Sequence, residues 1–296
     1  MPSTPSAEFI TFRGQPCILL RLPQGDTAVI ALHGAQVLSW LTADGRERLY
    51  LSPSAHFDGH SAIRGGVPLC FPQFNQRVLA GQPLAKHGFA RTLPWTLQGE
   101  SVVGDGISAT LLLTNNSATD SVWPHAFAAQ LTVSLRPGML TIGFAVRNLD
   151  AQPWPFALAL HTYLQVDDVT YTALHGLQGH TLWDAVTHLN QPDGRSQQVE
   201  AALTFSGETD RVYGEVAHPV TVTYPGGTVA LSQSPSLPEL VVWNPGQALC
   251  STLRDMPADG WRHMLCVEAA CIDTPVVLAP GQRWNGWQQL SIVPAQ

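Results

Sequence analysis

Charge is scarce in this chain. Only 12% of its 296 residues are Asp, Glu, Lys or Arg, and Lys86 is the only lysine. The balance is acidic, at −7, with no basic stripe, so nucleic acid is not an expected partner. Long apolar runs are missing as well. None approaches the roughly 18 residues of a membrane-crossing helix, and the start, MPSTPSAEFITFRG, lacks the apolar centre of a secretory signal. No membrane association is expected. The five cysteines, Cys17, Cys70, Cys250, Cys266 and Cys271, are odd in number and form no CxxC pair. That argues against a disulfide framework and fits a reduced, cytoplasmic protein with buried thiols. There is no GxSxG elbow, no phosphate-binding P-loop and no GxGxxG after a strand. His56 and His60 are four apart, but Asp58-Gly59 between them breaks a helix and no HExxH glutamate accompanies them. No strand carries closely spaced histidines, so no metal site is expected.

Hydrophobic residues reach 45%, enough for a large core. They come as short runs broken by Gly, Pro, Asn and Asp, with no helical period longer than about two turns. ILLRLPQG, TAVIALHGAQVLSWLTADG, ISATLLLTN, AFAAQLTVSLRPG and MLTIGFAVRNLD read as strands, with turns at Asp44-Gly45 and Arg136-Pro137-Gly138. A short helix is expected over Ala248–Met256. Residues 1–7 are rich in Pro, Ser and Thr and are expected to fray, while 8–296 form one domain. The fold class is all-β, a large antiparallel sandwich.

Against the acidic background stands one basic island. No Asp or Glu occurs between Asp58 and Glu100, yet Arg64, Arg77, Lys86 and Arg91 lie in that gap. Gly65, Gly66, Gly81 and Gly88 surround these charges, as if to let backbone approach a ligand closely. An anion is a reasonable occupant, although Arg77 also reads as a simple solvated cation. Arg64 and Arg91 sit among apolar and small residues, and no carboxylate is near them in sequence to pair with.

Two strands carry candidate chemistry. In PWPFALALHTYLQVDD, period two puts Phe156, Leu158, Leu160, Thr162 and Leu164 on one face and Ala157, Ala159, His161, Tyr163 and Gln165 on the other. The second face is a poor core and a good cleft floor. In HMLCVEAACI, Glu268 shares a face with Met264, Cys266 and Ala270. A carboxylate there is costly to bury unless it is used, and desolvation would raise its pKa towards that of a base working near neutrality. Asp210, beside Arg211, reads by itself as a surface pair, and His87 as a plausible ligand contact.

IRGGVPLCFPQF, KHGFARTLPW, LALHTYLQVDD, GETDRVY, VVWNPG, CVEAACI and LAPGQRWNGWQQLSI, in this order, resemble the hexose-6-phosphate branch of the aldose 1-epimerases. The resemblance spans roughly residues 33–291. It implies a galactose mutarotase-like supersandwich with a sugar phosphate as partner and no cofactor; a monomer is expected. It also implies catalytic roles for His161 as acid and Glu268 as base, and substrate contacts by Arg64, His87, Arg91 and Asp210. Lys86 stands where the family more often has an uncharged polar residue, and it joins the binding candidates. After VVWNP the family commonly has Trp and a charged helix start, whereas Gly246, Gln247 and Ala248 follow here. The competing readings are a mutarotase for unphosphorylated aldoses and a non-catalytic carbohydrate-binding sandwich.

Overall fold

Alternation decides the architecture. FAAQLTVSLR and MLTIGFAVRN bury every second residue, and Pro137-Gly138 turns the chain between them so that Arg136 faces Met139 and Phe127 faces Asn148. Gly138 takes φ +62°, which a residue without Cβ adopts cheaply. The computed structural model, which describes residues 4–76, 78, 79, 82–188 and 194–294, repeats this pattern throughout. Its strands pair antiparallel in a four-stranded sheet at the N-terminus, a nine-stranded sheet and an eight-stranded sheet. Arg77 and Gly81 of the basic island lie outside the described residues. Among the described residues, no helix is long and apolar enough to cross a membrane.

The eight-stranded sheet carries the chemistry. Its central strands run in the spatial order Thr209–Tyr213, Glu239–Asn244, Met264–Leu278, Trp154–Leu160. Each has one face in the main core: Phe156, Leu158 and Leu160 pack there with Leu265, Val267 and Ala269 and with Phe144, Leu131 and Leu290 of the nine-stranded sheet. Ala157, Ala159, Val241 and Ala270 face the other way. The alternation predicted for both strands is the one observed.

Four local expectations need correction. The strand bearing His161 is not continuous: it stops at Leu160 and resumes at Tyr163–Gln165. Thr162 N–H turns back to the Leu160 carbonyl at 2.8 Å, and His161 N–H donates to Pro68 at 3.0 Å, so both leave the ladder there. The helix spans Gly246–Cys250 rather than reaching Met256. It starts early because Asn244 Oδ1 takes the Gly246 N–H, and it stops where Ser251 and Thr252 hydroxyls bond the Ala248 and Leu249 carbonyls. The first strand begins at Ser6, already paired with Arg21, inside the stretch expected to fray. Finally, the island glycines approach the protein's own backbone rather than a ligand. A Cβ on Gly66 would stand 2.1 Å from the Val37 carbonyl oxygen, and one on Gly88 2.1 Å from that of Phe71. Those contacts pin the loops that carry Arg64 and His87.

Candidate active site

The kink after Leu160 swings His161 over the neighbouring strand. Its Nδ1 lies 3.0 Å from Glu268 Oε1. The contact is an ion-pair approach rather than a hydrogen bond, and among the described residues His161 Nδ1 and both Glu268 oxygens have no hydrogen-bond partner. Glu268 is 1% exposed, so it is not a solvated edge residue. A buried carboxylate without a hydrogen bond is costly, and that cost marks groups kept for a ligand or a reaction. Burial pushes the Glu268 carboxyl well above its ordinary range, with Asp210 adding repulsion and Lys86 opposing it. Burial likewise pushes the His161 imidazole well down, with His87, Arg91, Arg64 and Lys86 acting in the same direction.

The opposite sheet holds this pair in place. Gln288, fully buried, donates to the Val267 carbonyl at 3.0 Å and accepts from the Thr162 hydroxyl. Val267 N–H in turn donates to the Thr162 carbonyl at 3.0 Å. The residues next to His161 and Glu268 are therefore tied to each other and to the far sheet.

Around the pair, a cleft of about 200 Å³ is lined by Arg64, Lys86, His87, Asp210 and Glu208 as well as Phe74, Trp243 and Leu253. Tyr163 stacks on His161 at 4.8 Å, and Trp243 meets the same ring edge-on at 6.1 Å. A larger hollow of about 640 Å³ lies around His180, Arg195 and Asp273. Its lining is exposed or half-buried, and Arg195 is already paired with Asp273 at 2.7 Å. The smaller cleft is the better candidate because it alone of the two holds buried groups with unmet valences.

The cations differ in setting. Arg64 donates from Nε to Asp255 Oδ2 at 3.1 Å and from Nη1 to the Tyr163 hydroxyl at 3.0 Å. It does have a carboxylate partner, 191 residues away. Tyr163 and Asp255 both hold the guanidinium charged. Lys86 is exposed at the rim. Arg91 stands one layer behind: its Nη2 donates to the Lys86 carbonyl at 2.8 Å, and it is not among the lining residues. Its Nε is buried with no partner among the described residues. His87, at φ +65°, accepts the Asn75 N–H on Nδ1 at 3.2 Å, which leaves its proton on Nε2. Burial first, then Arg91, Lys86 and Arg64, lower its pKa to about 2, so it stays a neutral donor.

Asp210 is not a surface pair with Arg211, whose Nε instead bonds Asp184 at 3.0 Å. Register places Asp210 opposite Trp243, facing the cleft. Burial, with repulsion from Glu208, raises its carboxyl from 3.8 to about 6. The folded state thus binds more protons than the unfolded one between these values, and stability falls as pH rises through that window. Asp210→Asn removes this loss. The variant is expected to be more stable than the parent above pH 6, by on the order of 1–3 kcal/mol, and equal to it below pH 4. Thermal denaturation against pH checks this. A variant less stable at neutral pH would show that the ionised carboxylate is held by unseen favourable contacts.

Sequence reasoning brought His161, Glu268, Arg64, Lys86, His87 and Asp210 to one cleft, and Arg91 to the layer behind it. It missed Asp255, Trp243 and Gln288. Glu208, within GETDRVY, lines the same rim.

Residues 16–291 match the family profile described as aldose 1-epimerase. A protein of Cenchrus ciliaris, provisionally named a glucose-6-phosphate 1-epimerase, is 33% identical over 100% of this chain and 90% of its own. One of Escherichia coli K12 under the same provisional name is 35% identical over 82% of this chain and 79% of its own. The crystal structure of a provisionally named mutarotase from Salmonella typhimurium superposes with a TM-score of 0.86 at 28% identity, covering 100% of this chain and 95% of that one.

Proposed function

The chain belongs to the aldose 1-epimerase family, with the sandwich of the galactose mutarotases, and from that premise we propose that the sugar whose anomers it exchanges is a hexose 6-phosphate. Glucose 6-phosphate is the first choice, as in the names given to its relatives. The observation that carries the reading is the buried His161–Glu268 pair, unpartnered within the described residues and facing a cleft that also presents Arg64 and Lys86.

In the proposed reaction Glu268 takes the proton of the C1 hydroxyl while His161 protonates the ring oxygen. The C1–O5 bond breaks and C1 becomes an aldehyde carbon. Rotation about C1–C2 presents the other carbonyl face. Reclosure returns each proton to where it came from, so atoms and charge balance over the cycle. His87, neutral and donating from Nε2, and Asp210, an acceptor when ionised, suit sugar hydroxyls. Arg64 and Lys86 suit the phosphate, with Arg91 adding positive charge from behind.

The test is anomer exchange, followed by polarimetry or NMR, on glucose 6-phosphate against free glucose and galactose. Arg64→Ala is expected to weaken glucose 6-phosphate by about 10- to 150-fold, the worth of one charge-assisted hydrogen bond. It should weaken free glucose much less. Lys86→Ala is expected to cost less than Arg64→Ala, because an exposed ammonium is screened by salt. Equal losses on phosphorylated and free sugar would instead support a mutarotase for unphosphorylated aldoses.

A further inference from the structure

Cys266 has no part in the proton transfers above, yet it shares their face of the sheet. On the strand Met264–Leu278, positions 266 and 268 point the same way, and register sets Cys266 opposite Tyr163, two residues beyond His161. One ligand atom each of His161, Cys266 and Glu268 lies within 4.8 Å of the others, and all three residues are buried. An imidazole nitrogen, a thiol sulfur and a carboxylate oxygen together form a zinc donor set. A second observation is independent of that spacing. His161 Nδ1 and both oxygens of Glu268 have no hydrogen-bond partner among the described residues, although the two side chains are at most 10% exposed.

We propose that His161, Cys266 and Glu268 form a binding site for a thiophilic divalent cation, Zn²⁺ above all, that excludes the sugar when filled. The competition rests on the reading that His161 and Glu268 face the sugar; the metal site itself does not. Bond lengths to Zn²⁺ of about 2.0–2.3 Å put tetrahedral ligands roughly 3.3–3.8 Å apart. The 3.0 Å His161–Glu268 separation is close to that, and the longest edge of the cluster has to close by about 1 Å. Three protein ligands leave a fourth position for water. On binding, the Cys266 S–H bond breaks, its proton goes to solvent, a Zn–S bond forms and no electrons are transferred. Thiolate and carboxylate together neutralise the ion. Sulfur and nitrogen donors select Zn²⁺ and Co²⁺ over Mg²⁺ and Ca²⁺, which prefer oxygen.

Co²⁺ reports a thiolate ligand directly. Added to the full chain with its thiols reduced, it should give one equivalent of a thiolate-to-metal charge-transfer band that Zn²⁺ abolishes. Cys266→Ala, which keeps the apolar packing, should lose the band and weaken Zn²⁺ by more than about 100-fold, beyond the effect of losing an outer-shell partner. His161→Ala should also lose it, whereas Cys70→Ala should keep it. Glucose 6-phosphate at ten times its Kd should raise the apparent Kd for Zn²⁺ by roughly 10-fold. No band, or a band that survives Cys266→Ala, overturns the site. A site that fills equally well with sugar present overturns the competition. If the protein exchanged no anomers of any hexose 6-phosphate, the cobalt spectra of the Cys266 and Cys70 variants would still decide the metal site.

Discussion

Glu268→Gln is expected to lower kcat for anomer exchange by about 10²–10⁴-fold, the usual contribution of one positioned general base. The change is nearly isosteric and removes only the ability to take a proton. Stability should not fall with activity. Burial raises the Glu268 carboxyl well above its ordinary range, so the folded state already resists the charge that glutamine lacks. As pH rises past the unfolded pKa, the parent loses stability and the variant does not. A folded, equally or more stable and nearly inactive protein is therefore the expected result, with KM little changed because Arg64, Lys86 and His87 remain. Wild-type turnover in Glu268→Gln would remove it from the role of base. An unfolded variant would show that the carboxylate is structural after all.

Much of this site is written in local patterns, and the part that is not has a physical reason. Two alanines followed by His161 and Tyr163 on one strand face, with Phe156, Leu158 and Leu160 on the other, announce a cleft floor over a core, and the clusters divide along that line. Glu268 is legible because a lone carboxylate in CVEAACI has nowhere cheap to go. Pairing across the sheet is not legible at this level. Asp255 reaches Arg64 from 191 residues away, so an arginine that looked unpaired in sequence is paired in space. Gln288 sits in WQQL with nothing to mark it from Gln289, yet one side chain spans to Thr162 and Val267 and the other does not. The glycines of the island misled for a related reason. Glycine composition predicts close backbone approach, but its target is set by topology: Val37 and Phe71 carbonyls of adjacent segments. Asp210 reads as a surface pair from its neighbour Arg211 alone, and only cross-strand register shows that Arg211 pairs with Asp184 instead.

The pH dependence of turnover should belong to His161 and Glu268 jointly. In the proposed mechanism the active pair holds one proton: a second proton silences the base, and loss of the only one silences the acid. Groups 3.0 Å apart titrate as a unit, with two macroscopic steps. Burial penalises net charge on the pair in either direction. It lowers the imidazole and raises the carboxyl, so the one-proton state spans a wide range and without sugar keeps its proton mainly on Glu268; the proposed first step runs from the minor tautomer, with the proton on His161. The acid limb of kcat should then lie below the ordinary imidazole value of 6.5 and the alkaline limb well above the ordinary carboxyl value of 4.5. kcat is the quantity to follow, since the substrate phosphate itself ionises near about 6. His161→Ala should cut kcat by about 10²–10⁴-fold and remove the alkaline limb, leaving the ionisations of Glu268 and of Asp210, the latter lifted to about 6. What rate remains should rise with pH to a plateau, because only carboxylates that act in the ionised form are left to titrate. A bell-shaped profile surviving in His161→Ala, at more than roughly a tenth of the parent rate, would move the acid to another residue, and neutral, cleft-lining His87 would be the first to examine.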